Sequence, residues 1–186
     1  MSSLSEKWTL DIKKLSDAIQ SEFGRLPADL LASKISEKDW SIAEIFSHII
    51  TVNESYYPLF DQIQKGKYVY SMLGNFAFIR KYFGNIILKS VLPTNPKKQK
   101  TLPLWQPKTD IDSQTIIGDV QTHFIDLSSR IENLEPLIKR NVTIASPAND
   151  MIVYDIQTAL DIIVAHMKRH FEQARRTKQA IVPNAL

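Results

Sequence analysis

None of the 186 residues is a cysteine, which excludes disulfides, thiolate metal sites and a cysteine nucleophile together. Any sulfur chemistry would have to bring its thiol from outside. Glycine is scarce, with five residues in all; sandwiches and barrels need many tight turns, so an all-β fold is disfavoured. No apolar run approaches the roughly 20 residues that span a bilayer. The opening Met1-Ser2-Ser3-Leu4-Ser5-Glu6-Lys7 lacks a basic stretch followed by an apolar one. A soluble, cytoplasmic protein with no membrane partner is therefore expected. An excess of one sign of charge is also missing: 23 Lys+Arg stand against 20 Asp+Glu. That surplus is too small to draw in a polyanion, so no nucleic-acid partner is expected.

What is present is helical periodicity. Hydrophobic residues make up 44% and charged residues 23% of the chain, the composition of an ordinary globular protein, and the length suits a single domain over 1–186. Leu4, Trp8, Ile12, Leu15, Ile19 and Phe23 lie on one stripe of period 3.6, with Ser3 or Ser5 available as a cap and Gly24 and Pro27 as the stop. A second helix is expected over 41–65 on Ile42, Ile45, Phe46, Ile49, Val52, Tyr56 and Phe60. Ser41 and Glu44 have capping-box spacing, with Asp39 as another cap, and Pro58 predicts a kink or a break. Residues 68–92 are rich in aromatic side chains and read as a less regular inserted helix, weakened by Gly74 and Gly84. That segment could form a lid, a pocket wall or a dimer surface, although core packing suits most of its rings better.

A proline-punctuated loop follows over 91–112, carrying the basic run Lys97-Lys98-Gln99-Lys100. A loop of that length often borders a functional site. Two further amphipathic helices are expected, over 113–139 and 153–180, with an irregular or extended stretch between them and no sheet. The sum is an all-α fold: four long helices with their stripes buried together, plus the inserted helix.

His166 and His170 are spaced i, i+4 on the last helix, which places both imidazoles on one face where they can share an ion. His48, in the middle of the second helix, borders its apolar stripe and must either find hydrogen bonds or coordinate something. A lone histidine there is more often a satisfied core residue. Three histidines on two helices expected to face each other favour a metal. His123 reads as a boundary residue with at most an indirect part in the site, and Asn53 needs a partner if buried. There is no HExxH, since Glu172 lies beyond His170. Glu44, the carboxylate nearest His48 by helical spacing, reads better as an N-terminal capping acid than as a general base. Lys168, Arg169, Arg175, Arg176 and Lys178 read as solvated positions around the last helix rather than a DNA-binding face.

The segments Trp40-Ser41-Ile42-Ala43-Glu44-Ile45-Phe46-Ser47-His48 and His166-Met167-Lys168-Arg169-His170-Phe171-Glu172-Gln173 resemble the DinB/YfiT-like superfamily of metal-binding helical bundles. In that family a Trp-Ser pair opens the second helix, a histidine follows eight residues after the tryptophan, and the last helix carries His-x-x-x-His, often followed by Glu-Gln. The resemblance runs from the first helix to about Arg176. It implies an up-down four-helix bundle in which His48, His166 and His170 hold one nickel, zinc or iron ion and leave a position open. It further implies a metal-dependent enzyme, first of all a low-molecular-weight thiol S-transferase acting on a small-molecule substrate. Metal-dependent hydrolysis and a non-enzymatic metal-binding bundle are the alternatives. Arg80, Lys81 or Arg169 could anchor a thiol cofactor, Gln173 could bond a ligand histidine, and a homodimer through the aromatic insertion is compatible with the sequence. No residue is assigned a catalytic role at this point.

Overall fold

The first apolar stripe forms α1 (Glu6–Phe23), with Trp8, Ile12, Leu15, Ile19 and Phe23 buried. This computed structural model describes residues 3–68, 72–95 and 100–182; Tyr70 and the run 97–99 lie outside them. Neither Ser3 nor Ser5 caps α1 through its side chain. Instead the Glu135 carboxylate accepts from the backbone of Leu4 and Ser5 at 3.0 and 2.8 Å and from the Ser3 hydroxyl at 3.1 Å. An acid 130 residues away thus supplies the negative charge that the first turn favours.

A short α2 (Ala28–Ala32) precedes α3 (Ile42–Glu54). Its capping box is formed as the spacing predicts: Glu44 N–H donates to the Ser41 hydroxyl and Ser41 N–H to the Glu44 carboxylate. The second helix breaks at Ser55-Tyr56, and Pro58 enters the first turn of α4 (Tyr57–Gln64), where its missing N–H costs no helical bond. A 3-10 turn (Met72–Asn75) leads into α5 (Ala77–Val91), and a second such turn (Pro103–Trp105) interrupts the long loop. The helix expected over 113–139 is divided, with α6 (Ile116–Asn133) followed by α7 (Glu135–Arg140). Pro136 cannot donate to the preceding turn, so it marks the division. Asn141, in the left-handed conformation at φ 47°, ends α7.

The expectation of no sheet was wrong. β1 (Thr143–Ser146) and β2 (Asn149–Asp155) pair antiparallel, with Thr143 opposite Asp155, Ile144 opposite Tyr154 and Ala145 opposite Val153. Val153 and Tyr154 are therefore strand residues, and the last helix, α8 (Ile156–Ile181), begins three residues later than periodicity suggests. Strand pairing wins here because Ile144, Val153 and Tyr154 are fully buried, and four residues of alternation are too few to reveal a period-2 pattern.

The protein is mostly helical with this one small sheet. Helix α1 packs on α6 and α8, and α3 packs on the same two helices. Their stripes supply most of a single apolar cluster that includes Phe23, Phe46, Ile49, Phe124, Leu127 and Ile163. Polar ties fix α8 beside α1: the Trp8 indole and Lys7 both reach Asp161, and Lys168 pairs with Asp11. Helix α5 lies outside that group, against β2 and α8. Among the described residues no helix is long and apolar enough to cross a membrane.

Candidate metal centre

The α3–α8 contact brings together the three histidines singled out in the sequence. One ligand atom from each of His48, His166 and His170 lies within 4.8 Å of the others, and the ring centroids are 4.4–5.0 Å apart. The i, i+4 spacing on α8 accounts for one pair. His48 joins them because its neighbours Ile45 and Ile49 bury that face of α3 completely. His48 and His166 are buried and His170 is half-buried. Among the described residues no carboxylate joins the cluster.

Two outer contacts set the protonation of the rings. The Nδ1 of His48 lies 2.6 Å from the Trp105 carbonyl. A carbonyl can only accept, so this nitrogen carries the proton and Nε2 keeps a free lone pair. The Nδ1 of His170 lies 2.8 Å from Oε1 of Gln173 and is fixed by the same logic. Both rings thus present Nε2 as the basic nitrogen, the arrangement that outer hydrogen bonds impose on metal-ligating histidines.

The Nε2 atoms of His48 and His166 are 3.1 Å apart, while the buried Nδ1 of His166 has no hydrogen-bond partner among the described residues. That nitrogen is unsatisfied with or without an ion on Nε2, at a cost of about 1–3 kcal/mol, so the case for a ligand set rests on the Nε2 spacing. As a ligand set it fits: two nitrogens bound to one tetrahedral ion at roughly 2.0–2.1 Å would lie about 3.3 Å apart. The donor set of three neutral imidazoles suits a divalent transition metal.

Burial lowers the pKa of all three rings. For His48 desolvation outweighs the opposing bond to the Trp105 carbonyl. His166 falls well below its ordinary value through desolvation, then through the neighbouring His170, His48 and Arg169. His170 is brought down to about 3, again first by desolvation, with the His48, Arg169 and Arg176 charges adding to it and the Gln173 bond opposing. The rings are therefore neutral at pH 7, the form that coordinates a metal.

Sequence reasoning found the three rings and Gln173 but missed two other contributors. Trp40 packs its ring 4.8 Å from His48 and 6.3 Å from His170, although it had served only as part of a motif. Trp105 supplies its backbone carbonyl, which no side-chain pattern can disclose. Its indole N–H donates to the Ser55 hydroxyl at 3.0 Å, and Lys108 N–H donates to the Ser47 hydroxyl at 3.1 Å. These bonds draw the long loop across α3 and place the carbonyl over His48. The loop reaches the histidine cluster at Trp105, while its basic run lies mostly outside the described residues.

The remaining candidates are engaged elsewhere. Glu44 caps α3 and pairs with Lys34 at 2.7 Å. Arg80 pairs with Asp155 at 2.6 Å and donates to the Gly74 carbonyl. Arg169 donates to the carbonyls of Leu92 and Asn95, and Lys81 is exposed. His123 is buried apart from the cluster, with Nε2 at 3.2 Å from the Asn53 amide nitrogen and Nδ1 at 3.4 Å from the Tyr57 hydroxyl. It lines a separate cleft of about 530 Å³ with Glu54 and Asp126. Asn53 finds His123 and the Met167 sulfur as partners for its amide nitrogen, while its buried oxygen has none among the described residues.

Comparison of the chain with protein-family models, with curated proteins and with solved structures gives no match.

Proposed function

We propose that this chain is a metal-dependent enzyme of the DinB/YfiT-like type, in which His48, His166 and His170 hold one divalent ion and the reaction is transfer of a low-molecular-weight thiol to an electrophile. The observation that carries the metal half is the convergence of three neutral imidazoles, two of them held in the Nδ1–H form by Trp105 and Gln173. The cyclic packing of α1, α3, α6 and α8 supports reading the fold as an up-down four-helix bundle of that type, with α5 as the inserted helix.

A bound divalent ion would supply Lewis acidity, making a thiol or water at its open position more acidic. The lack of a free carboxylate base among the candidates favours the thiol over water. Glu44, the nearest carboxylate by helical spacing and the one candidate base weighed in the sequence, is tied to the Ser41 backbone and to Lys34. Arg169 acts on both His166 and His170, and Arg176 on His170, a field that favours an anion, thiolate or hydroxide, at the open position. Trp40 packs its ring against His48 and His170 and gives the cluster an apolar wall on that side. In the reaction, sulfur forms the new bond to carbon, the leaving group departs with its electron pair, and the thiol proton passes to buffer.

The test is turnover of metal-loaded protein with cysteine or glutathione and a haloarene, reading thioether and halide together. Thioether formation should require the metal and fall at least about 100-fold in His48→Ala, since losing even an outer hydrogen-bond partner of a ligand costs about 10–100-fold. Ester hydrolysis by the same loaded site without thioether would replace transfer with hydrolysis. Full metal occupancy with neither reaction would leave a metal-binding bundle.

A further inference from the structure

Helix α5 is committed on one face and bare on the other. Its inner face lies close to α8 at Gly84, where an added Cβ would sit 2.8 Å from the Thr158 methyl carbon, and Arg80 ties it to Asp155. The helix therefore cannot roll to hide its opposite side. That side carries Phe78, Tyr82 and Ile86, one helical turn apart and 70%, 63% and 48% exposed. Lys81 and Lys89 are exposed among them. Met72 and Phe76, on the turn that leads into the helix, are exposed as well. Scattered apolar side chains on a surface need no explanation, but a helical stripe of two aromatic rings and an isoleucine does.

Charge says what covers it. Between Asp61 and Asp110 the sequence holds nine of the 23 lysines and arginines and none of the 20 acidic residues. The rest of the chain is therefore net negative, and the positive charge is gathered on the segment that bears the exposed rings. A basic helix with an aromatic stripe is suited to the surface of an anionic bilayer. A second copy fits poorly, because an isologous contact would bring two identical basic segments together with no acid on either segment to pair Lys81 and Lys89. A nucleic acid would answer the lysines but would give Phe78, Tyr82 and Ile86 nothing apolar to bury against.

We propose that the outer face of α5 docks the protein on an anionic lipid surface, with Phe78, Tyr82 and Ile86 entering the boundary between headgroups and acyl chains and Lys81 and Lys89 meeting the lipid phosphates. The expectation of no membrane partner counted only segments long enough to span a bilayer. A surface helix needs no such segment, and this reading is independent of the metal site.

The experiment is co-sedimentation of the full chain with phosphatidylcholine vesicles containing about 30% phosphatidylglycerol, beside vesicles of phosphatidylcholine alone. Binding is expected to the anionic vesicles, with at least about a tenfold weaker partition to the neutral ones or in about 0.5 M salt. A comparable loss is expected in Phe78→Ser/Tyr82→Ser and in Lys81→Glu/Lys89→Glu. All four side chains are exposed, so both variants should keep the parent's urea midpoint, which separates docking from folding. Absence of binding to the anionic vesicles, or equal binding to the neutral ones, overturns the proposal. A concentration-dependent dimer that Phe78→Ser/Tyr82→Ser dissociates would make a second copy the occupant, and would overturn it as well.

Discussion

Phe46→Ala is expected to lose about 3–5 kcal/mol of stability, the cost of emptying a large aromatic site in a close-packed core. Phe46 is fully buried on α3. Its ring meets Phe23 edge-on at 5.2 Å, and Phe23 in turn meets Phe171 at 6.0 Å. Three rings from α1, α3 and α8 thus form one contact chain centred on Phe23, and removing Phe46 from its end loosens α3, which carries His48, from α1. Against a total of roughly 5–15 kcal/mol for an ordinary domain, the loss should appear as a large fall in urea midpoint with an unchanged slope. Phe78→Ala provides the contrast: its ring is mostly exposed, and the change should stay within about 0.5 kcal/mol. A loss below about 1 kcal/mol in Phe46→Ala would contradict the packing described.

The second large effect is acid sensitivity. Desolvation brings the His123 pKa down to about 4, with Lys108 and Arg130 adding to it and Asp126 opposing. Above its ordinary value of 6.5 the ring is neutral in both the folded and the unfolded chain, and its contribution is fully present. Between 6.5 and about 4 the unfolded chain takes up a proton that the folded chain refuses, so stability falls as pH falls. Below about 4 both states are protonated and the loss stops growing. The two and a half pKa units amount to about 3 kcal/mol. His48, His166 and His170 shift in the same direction and steepen the decline in metal-free protein. His123→Gln keeps a polar group near Asn53 and Tyr57 but removes this titration. In chelator, its stability should drop between pH 7 and pH 4 by about 2–3 kcal/mol less than the parent's. Parallel pH profiles for the two proteins would show that His123 does not resist protonation.

How far the sequence discloses this molecule differs from element to element. The stripes of α1, α3, α6 and α8 are legible because an amphipathic helix repeats its signal over several turns. The capping box at Ser41 and Glu44 is legible because both halves are local. The break at Leu134 is less so, since the apolar stripe continues across it and only Pro136 hints at the change. The hairpin of β1 and β2 leaves almost no periodic trace: its strands are short and it is stabilised by tertiary burial of Ile144, Val153 and Tyr154. At α1 the cap comes from Glu135 on a distant helix, and no nearest-neighbour rule reaches that far.

The site divides in the same way. His166 and His170 announce themselves by spacing, and His48 by its place beside an apolar stripe. Gln173 follows from being one turn past His170. The Trp105 carbonyl is invisible because every residue has one, and only the fold of the loop selects which carbonyl meets His48. Trp40 illustrates a different gap, since its position at the start of α3 gives no sign that its ring reaches α8. The exposure of Phe78 and Tyr82 was equally hidden. Aromatic residues at helical spacing suggest core, and only the close approach of Gly84 to α8 shows which face of α5 is left outside.

The most direct test of the account is the metal content of untagged protein, purified without chelator or added metal and measured by mass spectrometry beside His48→Ala and His170→Ala. A three-histidine centre should carry about one equivalent of nickel, zinc or iron, lost in both variants while their helical content is retained. No bound metal in the parent protein, and none taken up on titration, would contradict the centre and leave His48, His166 and His170 as packed core residues.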